Sequence, residues 1–181
     1  LPALSSGYVT FGCFNNPAKI SDHTLQLWAA VLRRVPRGRL LLKYDGLDGR
    51  GAASHFVQRL AAHRIDPRRV ALEGHSPHRD LLERYNAVDL ALDTQPYSGG
   101  LTTCEALWMG VPVISLPGQT FAGRHAFSHL SNAGVTETIA KTNQEYVERA
   151  VELASNTQRL AELRAGLRRR VSRAPLCDGP R

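Results

Sequence analysis

Apolar positions along the chain gather into short runs, each followed by turn residues and then by a segment with helical spacing. Residues 8–14 (YVTFGCF), 39–44 (RLLLKY), 69–72 (RVAL), 90–93 and 113–116 predict five strands. Ser21 reads as the N-cap of a helix running to about Val35. Leu25, Trp28, Ala29 and Leu32 lie on one face of it, and Pro36 and Gly38 stop it. Further helices are predicted over 54–63, 78–85, from Thr102, over 119–130, over 142–154 (with Thr142-x-x-Glu145 as a capping box) and over 157–173. Residues 138–140 read as a short sixth strand. Trp108 and Met109, beside Leu107, read as core. Leu40 to Leu42 are continuously apolar, the mark of a strand covered on both faces. Strands alternating with helices give an α/β chain with a doubly wound parallel sheet, in a single domain over 1–181.

Composition narrows this picture. The 181 residues suffice for one domain with a sizeable core, and 43% hydrophobic with 22% charged residues is ordinary for a globular chain. The net charge of +7 permits an anionic partner without demanding one. Much of it lies in Arg164, Arg168, Arg169, Arg170 and Arg173, a pattern that fits a solvated helix face. Basic residues interleaved with aromatics and any recognisable nucleic-acid module are both missing, so no nucleic-acid partner is expected. Cys13, Cys104 and Cys177 form no CxxC pair, which fits a reducing, cytoplasmic setting and argues against a disulfide framework and a zinc site. No apolar run approaches the length of a membrane span, and Leu1-Pro2-Ala3-Leu4 has neither a Met nor a signal peptide's features. The chain reads as a piece of a longer protein.

The most informative stretch is 90–118, LALDTQPYSGGLTTCEALWMGVPVISLPG, which reads as strand, Gly-bearing turn, helix and strand. In a parallel sheet the loop after a strand lies where open α/β sheets bind ligands. Gly99 and Gly100 allow close backbone approach, and the helix start offers N–H groups to an anion. Thr102, Thr103 and Glu105 add polar groups at that mouth. The same residues also fit a plain turn followed by a capping box from Thr102 to Glu105. G-x-G-x-x-G and G-K-[ST] are both absent, which argues against a dinucleotide enzyme and a P-loop ATPase.

The other loops expected on that edge carry Asn15, Asn16 and Lys19; Tyr44 and Asp45; Ser76, Pro77 and His78; and Gly118. They offer a cation, amides and hydroxyls, but no Ser-His-Asp or Cys-His arrangement and no obvious pair of catalytic carboxylates. Such a set suits a phosphorylated ligand. Lys19 reads either as a cation aimed at a diphosphate or as a solvated lysine. His78 reads as a base or a helix-start residue, and Arg84 as a phosphate clamp or an ion-pair partner. Asp89 and Asp93 read as residues that flank the fourth strand.

FGCFNNPAKI, then LALDTQPYSGGLTTCEALWMGVPVISLPG, then RHAFSHLSNAGVTETIAKTNQEYVERAVELA and finally SRAPLCD resemble the protein O-GlcNAc transferase family. More narrowly they resemble its bacterial, SPINDLY-like members, which couple tetratricopeptide repeats to a catalytic region. The resemblance spans nearly the whole chain. It implies the C-terminal, Rossmann-like lobe of a two-lobed GT-B glycosyltransferase, an inverting enzyme acting on protein Ser or Thr hydroxyls with UDP-GlcNAc as donor.

Position by position it implies that Lys19 contacts the diphosphate and supports departure of the leaving group, with Asn16 near the phosphates and sugar. Ser76-Pro77-His78 would read the uracil, with Arg84 on the helix behind, and Glu105 would bind the ribose hydroxyls. Gly99, Gly100, Thr102 and the N–H groups around Thr103 would hold the diphosphate. It implies no metal and no cofactor.

Gly100, Leu101 and His78 depart from the family pattern. Gly100, Leu101 and Thr102 stand where animal members have His-Thr-Thr, and His78 stands where Lys is usual. The repeats that grip the acceptor protein lie upstream in the family, so this chain alone is expected to bind nucleotide, to transfer no sugar and to self-associate through its uncovered cleft face. The competing reading is a non-catalytic nucleotide-binding or protein-interaction module with a decayed site.

Overall fold

The structure is a computed structural model that describes residues 1–178. Five parallel strands, β1 (Thr10–Cys13), β2 (Arg39–Lys43), β3 (Val70–Glu73), β4 (Leu90–Leu92) and β5 (Val113–Ile114), form one sheet in the order β3-β2-β1-β4-β5. Parallel neighbours need crossover connections, and helices supply them. The helices are α1 (Ala3–Ser6), α2 (Asp22–Arg34), α3 (Arg50–Ala62), α4 (His78–Arg84), α5 (Leu101–Trp108), α6 (His125–Asn132), α7 (Asn143–Ser155) and α8 (Thr157–Ser172).

Side chains alternate across the sheet and divide the core in two. Phe11, Leu40, Leu42, Leu90, Leu92 and Ile114 point into one layer, where Leu25 and Trp28 of α2 and Tyr146 of α7 join them. Leu41, Ala91 and Val113 point into the other, with Ala106 and Leu107 of α5, Leu130 of α6 and Leu167 of α8. Both faces are covered, as the unbroken Leu40–Leu42 run predicts. Gly12 of β1 comes so close to Val88 that a Cβ there would lie 2.6 Å from Val88 Cγ1.

Several expectations change. Residues 138–140 form no strand: Thr136–Thr138 is a 3-10 turn, and only one parallel bridge, Ser115 to Ile139, extends β5. The helix expected over 119–130 begins later, with a 3-10 turn at Ala122–Arg124 leading into α6. Gly118 and Gly123 pair here through Gly118 N–H and Gly123 C=O at 2.9 Å, which holds the intervening residues in a loop. Trp108 is partly exposed at the end of α5 and lies under the Arg168 guanidinium, 4.7 Å from ring centroid to Cζ. The C-terminal arginines are not all solvated. Arg164 donates to the carbonyls of Val88 and Asp89 at 2.7 and 3.2 Å, and Arg170 pairs with Glu137 at 2.7 Å.

At Thr142 half of the capping box forms as predicted, the hydroxyl accepting the Glu145 N–H at 3.1 Å, while the Glu145 carboxylate reaches one residue further and accepts the Lys141 N–H at 2.9 Å. The one proposed at Thr102 does not form. Helix α5 opens at Leu101 with Gly100 as its N-cap, so Thr102 is already inside it, and its hydroxyl turns outward to Asn15 Oδ1.

Candidate nucleotide-sugar site

In the order β3-β2-β1-β4-β5, β1 and β4 are neighbours whose chains continue to opposite sides of the sheet. The crevice beyond their C-terminal ends is the switch point where ligands bind in this architecture. The exits of β1 (residues 14–19) and β4 (residues 93–100) therefore meet although they are far apart in sequence.

Asp93 organises the crevice. Its Oδ1 accepts the Gly99 N–H at 2.7 Å and the Asn15 amide at 3.3 Å, and its Oδ2 accepts the Ser115 hydroxyl at 2.6 Å. Burial pushes its pKa above the usual carboxylate value, while these donors pull the other way. Asn15 also donates to Thr94 Oγ1 at 2.9 Å, and Thr94 donates to the Tyr97 carbonyl at 2.6 Å. From beneath, the Tyr146 hydroxyl donates to the Asp93 carbonyl at 2.9 Å and receives the Trp28 indole N–H at 3.2 Å. Gly99 fits this packing because a Cβ there would lie 2.6 Å from Thr103 Oγ1 and 3.0 Å from Asn15 Oδ1. The Gly-bearing turn is thus a built loop.

Lys19 closes the 3-10 turn Pro17–Lys19, which the Asn16 side chain caps by accepting the Ala18 N–H at 2.9 Å. Its ammonium reaches across the crevice, donates to the Ser98 carbonyl at 3.2 Å and stands 3.8 Å from the Tyr97 ring centroid. Among the described residues no carboxylate forms an ion pair with it. Burial lowers its pKa, opposed by the field of Asp93. A partly desolvated ammonium held only by neutral partners, beside a helix start with unpaired N–H groups, is an arrangement suited to an anion.

Glu105, nearly buried on α5, accepts the Tyr85 hydroxyl at 3.3 Å and lies 3.8 Å from His78 Nδ1. Burial raises its pKa, with His78 and Tyr85 opposing. His78 and Glu105 front an open depression of about 370 Å³ whose other walls include Leu101 and Trp108. At the exit of β3 the Ser76 hydroxyl is buried without a hydrogen-bond partner.

The crevice therefore brings together Lys19, Gly99, Gly100, Thr102 and Thr103, with Ser76, His78 and Glu105 along its flank. Two of the anticipated residues are engaged otherwise. Arg84 forms a bidentate pair with Glu73, at 2.9 Å from Nε to Oε2 and 2.5 Å from Nη2 to Oε1, and so props the end of β3. Asn16 is exposed and spends its side-chain oxygen on the turn. Sequence reasoning placed Asn15 on this edge and read Asp93 only as a residue flanking the fourth strand, and it singled out neither Tyr97 nor His125. For Asp93 the available signal was a lone carboxylate directly after a strand buried on both faces.

His125 and His129 stand four apart on α6, but among the described residues no group of three His, Cys, Asp or Glu side chains is placed to hold a metal. No helix among them is long and apolar enough to cross a membrane.

Sheet order, two-sided helical cover and the switch-point crevice define a Rossmann-like lobe, and its structural neighbours are GT-B glycosyltransferases. The description "Glycosyl transferase family 41" matches residues 3–180, and the chain belongs to that family. It is 41% identical over 182 residues to a tomato (Solanum lycopersicum) protein named as a probable UDP-N-acetylglucosamine–peptide N-acetylglucosaminyltransferase SPINDLY, covering 98% of this chain and 19% of that protein. It superposes on a lysine-to-methionine mutant of the Thermobaculum terrenum O-GlcNAc transferase with a TM-score of 0.88 and 40% identity, over 96% of this chain and 33% of the other. At 18% identity and a TM-score of 0.67, over 95% of this chain and 46% of the other, it shares the fold of Anabaena HepE, solved with UDP and glucose. The chain thus spans about a fifth of the curated relative and a third of the bacterial transferase.

Proposed function

We propose that this chain is the donor-binding lobe of a glycosyltransferase that moves a sugar from a UDP-sugar, UDP-GlcNAc, onto Ser or Thr hydroxyls of proteins. The observation that carries this reading is the Lys19 ammonium, unpaired with any carboxylate among the described residues, beside the start of α5 and the Gly99–Gly100 turn. The names of the SPINDLY and O-GlcNAc transferase relatives supply the donor and acceptor classes.

On this reading the diphosphate lies between Lys19, Thr102 and the first N–H groups of α5. Glu105 takes the ribose hydroxyls, and the Ser76–His78 backbone takes the base. The acceptor oxygen attacks the anomeric carbon from the face opposite the diphosphate, and the bond to the β-phosphate oxygen breaks with inversion. The charge gathered on the leaving UDP is met by Lys19 and the helix start, which do the work a metal ion would otherwise do. The group that accepts the hydroxyl proton and the surface that grips the acceptor belong upstream of this chain, so the chain alone binds nucleotide without transferring sugar. The exposed Leu101 and Phe121 side chains belong to the face that the partner lobe covers.

The test is a titration of UDP, UMP and UDP-GlcNAc into the protein and into Lys19→Ala, followed through backbone amide shifts. UDP binding that weakens by about 1–3 kcal/mol on substitution, the size of a charge-assisted contact, supports the assignment. Absence of any UDP-dependent shift at millimolar concentration rejects it.

A further inference from the structure

At Gly100 the Gly-bearing loop presents no side chain to the crevice, and a neighbouring element fills the place. A Cβ built on Gly100 would lie 3.6 Å from Nδ1 of His125, the first residue of α6, at ordinary contact distance. The imidazole is clamped by two rings: Phe121 meets it edge-on with centroids 4.7 Å apart, and Tyr97 lies at 5.8 Å. Its Nε2 is buried without a hydrogen-bond partner. No hydrogen bond within the protein uses Nδ1 among the described residues, so the nitrogen beside Gly100 is free to serve a ligand.

Tyr97 in turn lies under Lys19, so ammonium, phenol ring, imidazole and the ring of Phe121 form one continuous row along the mouth. Phe121 is 84% exposed, a large apolar face open to solvent apart from its edge-on contact with His125, beside a groove of about 520 Å³ along α6. An aromatic side chain set edge-on against an imidazole fixes the orientation of that imidazole. A ring held this way offers a directed hydrogen bond beside Gly100, outside the depression that Glu105 and His78 front.

We propose that His125 is a donor-binding residue: its Nδ1 hydrogen-bonds the sugar-diphosphate end of the nucleotide sugar from α6, and Phe121 orients it. The inference rests on the donor-lobe reading. It predicts a dependence on ligand length that a merely structural histidine lacks. UMP stops short of His125, whereas UDP-GlcNAc reaches it.

The experiment titrates UMP, UDP and UDP-GlcNAc into the unaltered protein, His125→Ala, His125→Asn and Phe121→Ala, with the thermal midpoint of each variant recorded. His125→Ala is expected to weaken UDP-GlcNAc about tenfold and Phe121→Ala about threefold, as loss of one hydrogen bond to a charged or polar ligand group implies, with UMP affinity unchanged. Asn, which can place an amide near the Nδ1 position, is expected to recover part of the loss. The His125 ring ¹⁵N resonances should move on addition of UDP-GlcNAc and stay put with UMP. Equal losses for UMP and UDP-GlcNAc, or unchanged affinity for UDP-GlcNAc in a folded His125→Ala, overturn the role of His125 and leave the donor-lobe reading intact. Failure of the unaltered protein to bind UDP or UDP-GlcNAc overturns both.

Discussion

The Lys19 ammonium lies over the face of Tyr97, 3.8 Å from the ring centroid, and that ring is the closest thing to a counter-charge it has besides the Ser98 carbonyl. A cation over an aromatic face gains roughly 0.5–1 kcal/mol at a partly exposed site. The ring keeps the ammonium at the crevice mouth without neutralising it. Tyr97→Leu should therefore weaken UDP binding by about that amount, and Tyr97→Phe, which keeps the ring, should leave it unchanged. Calorimetric titration of the two variants decides whether ring or hydroxyl matters.

Asp93 is where stability and site architecture coincide. Asp93→Ala strips the Gly99 N–H, the Ser115 hydroxyl and the Asn15 amide of their acceptor in a buried place, and should cost about 3 kcal/mol of unfolding free energy.

The same carboxylate gives a pH signature. Burial raises its folded pKa above the ordinary value of 3.8, so the folded state holds this proton more tightly than the unfolded chain does. Its contribution to stability is then greatest below the unfolded pKa, falls as pH rises from about 3.8 to the raised folded value, and is flat above it. Urea melts of the protein and of Asp93→Asn across the acid range test this. The stability of the protein relative to the variant should decline with rising pH, and a difference that rises instead contradicts the assignment.

Glu105 makes a prediction about the nucleoside. If its carboxylate holds the ribose hydroxyls, UDP should bind more tightly than 2′-deoxy-UDP by about 1 kcal/mol, and Glu105→Ala should abolish that difference while weakening UDP. Tyr85→Phe removes the hydroxyl that Glu105 and the Thr102 carbonyl share, at 3.3 and 3.2 Å, and should reduce the discrimination without erasing it.

Gly12 and Val88 provide a test of the fold beneath the crevice. A methyl at position 12 would collide with both Val88 methyls, 2.6 and 2.7 Å away, and a β-branched side chain has little freedom to turn aside. Gly12→Ala should cost about 1–3 kcal/mol in chemical denaturation. Adding Val88→Ala should recover part of that loss, so the two changes combine to less than their sum.

The five strands, the helix around Trp28 and the loops at the C-terminal edge of the sheet were legible because apolar runs and turn residues report local geometry directly. What remained out of reach depends on contacts between distant segments. Arg84 pairs with Glu73 only because α4 folds back along the end of β3. Thr102 meets Asn15 only because β1 and β4 are neighbours, an order that no local pattern encodes. Residues 138–140 have a strand's composition but meet β5 at one bridge, since Thr136–Thr138 turns tightly just before. His125 looks like any polar residue in an amphipathic helix until the loop beneath it is seen to end in glycine. Glu105 and Lys19 came forward chiefly through the family resemblance, since spacing alone left the plain capping and solvated-lysine readings open.

Trp28 and Tyr146 sit fully buried in the core, yet the tyrosine hydroxyl ends on the carbonyl of Asp93, at the root of the Gly-bearing loop. Two helices separated by more than a hundred residues are thereby fastened to the C-terminal edge of the sheet, where the proposed site lies. The floor of the crevice inherits the stiffness of the protein's middle, and on the donor-lobe reading a nucleotide meets a shape already set. Little ordering is left for binding to impose, and a conservative change deep between α2 and α7 should be felt at the mouth as a looser grip on the ligand.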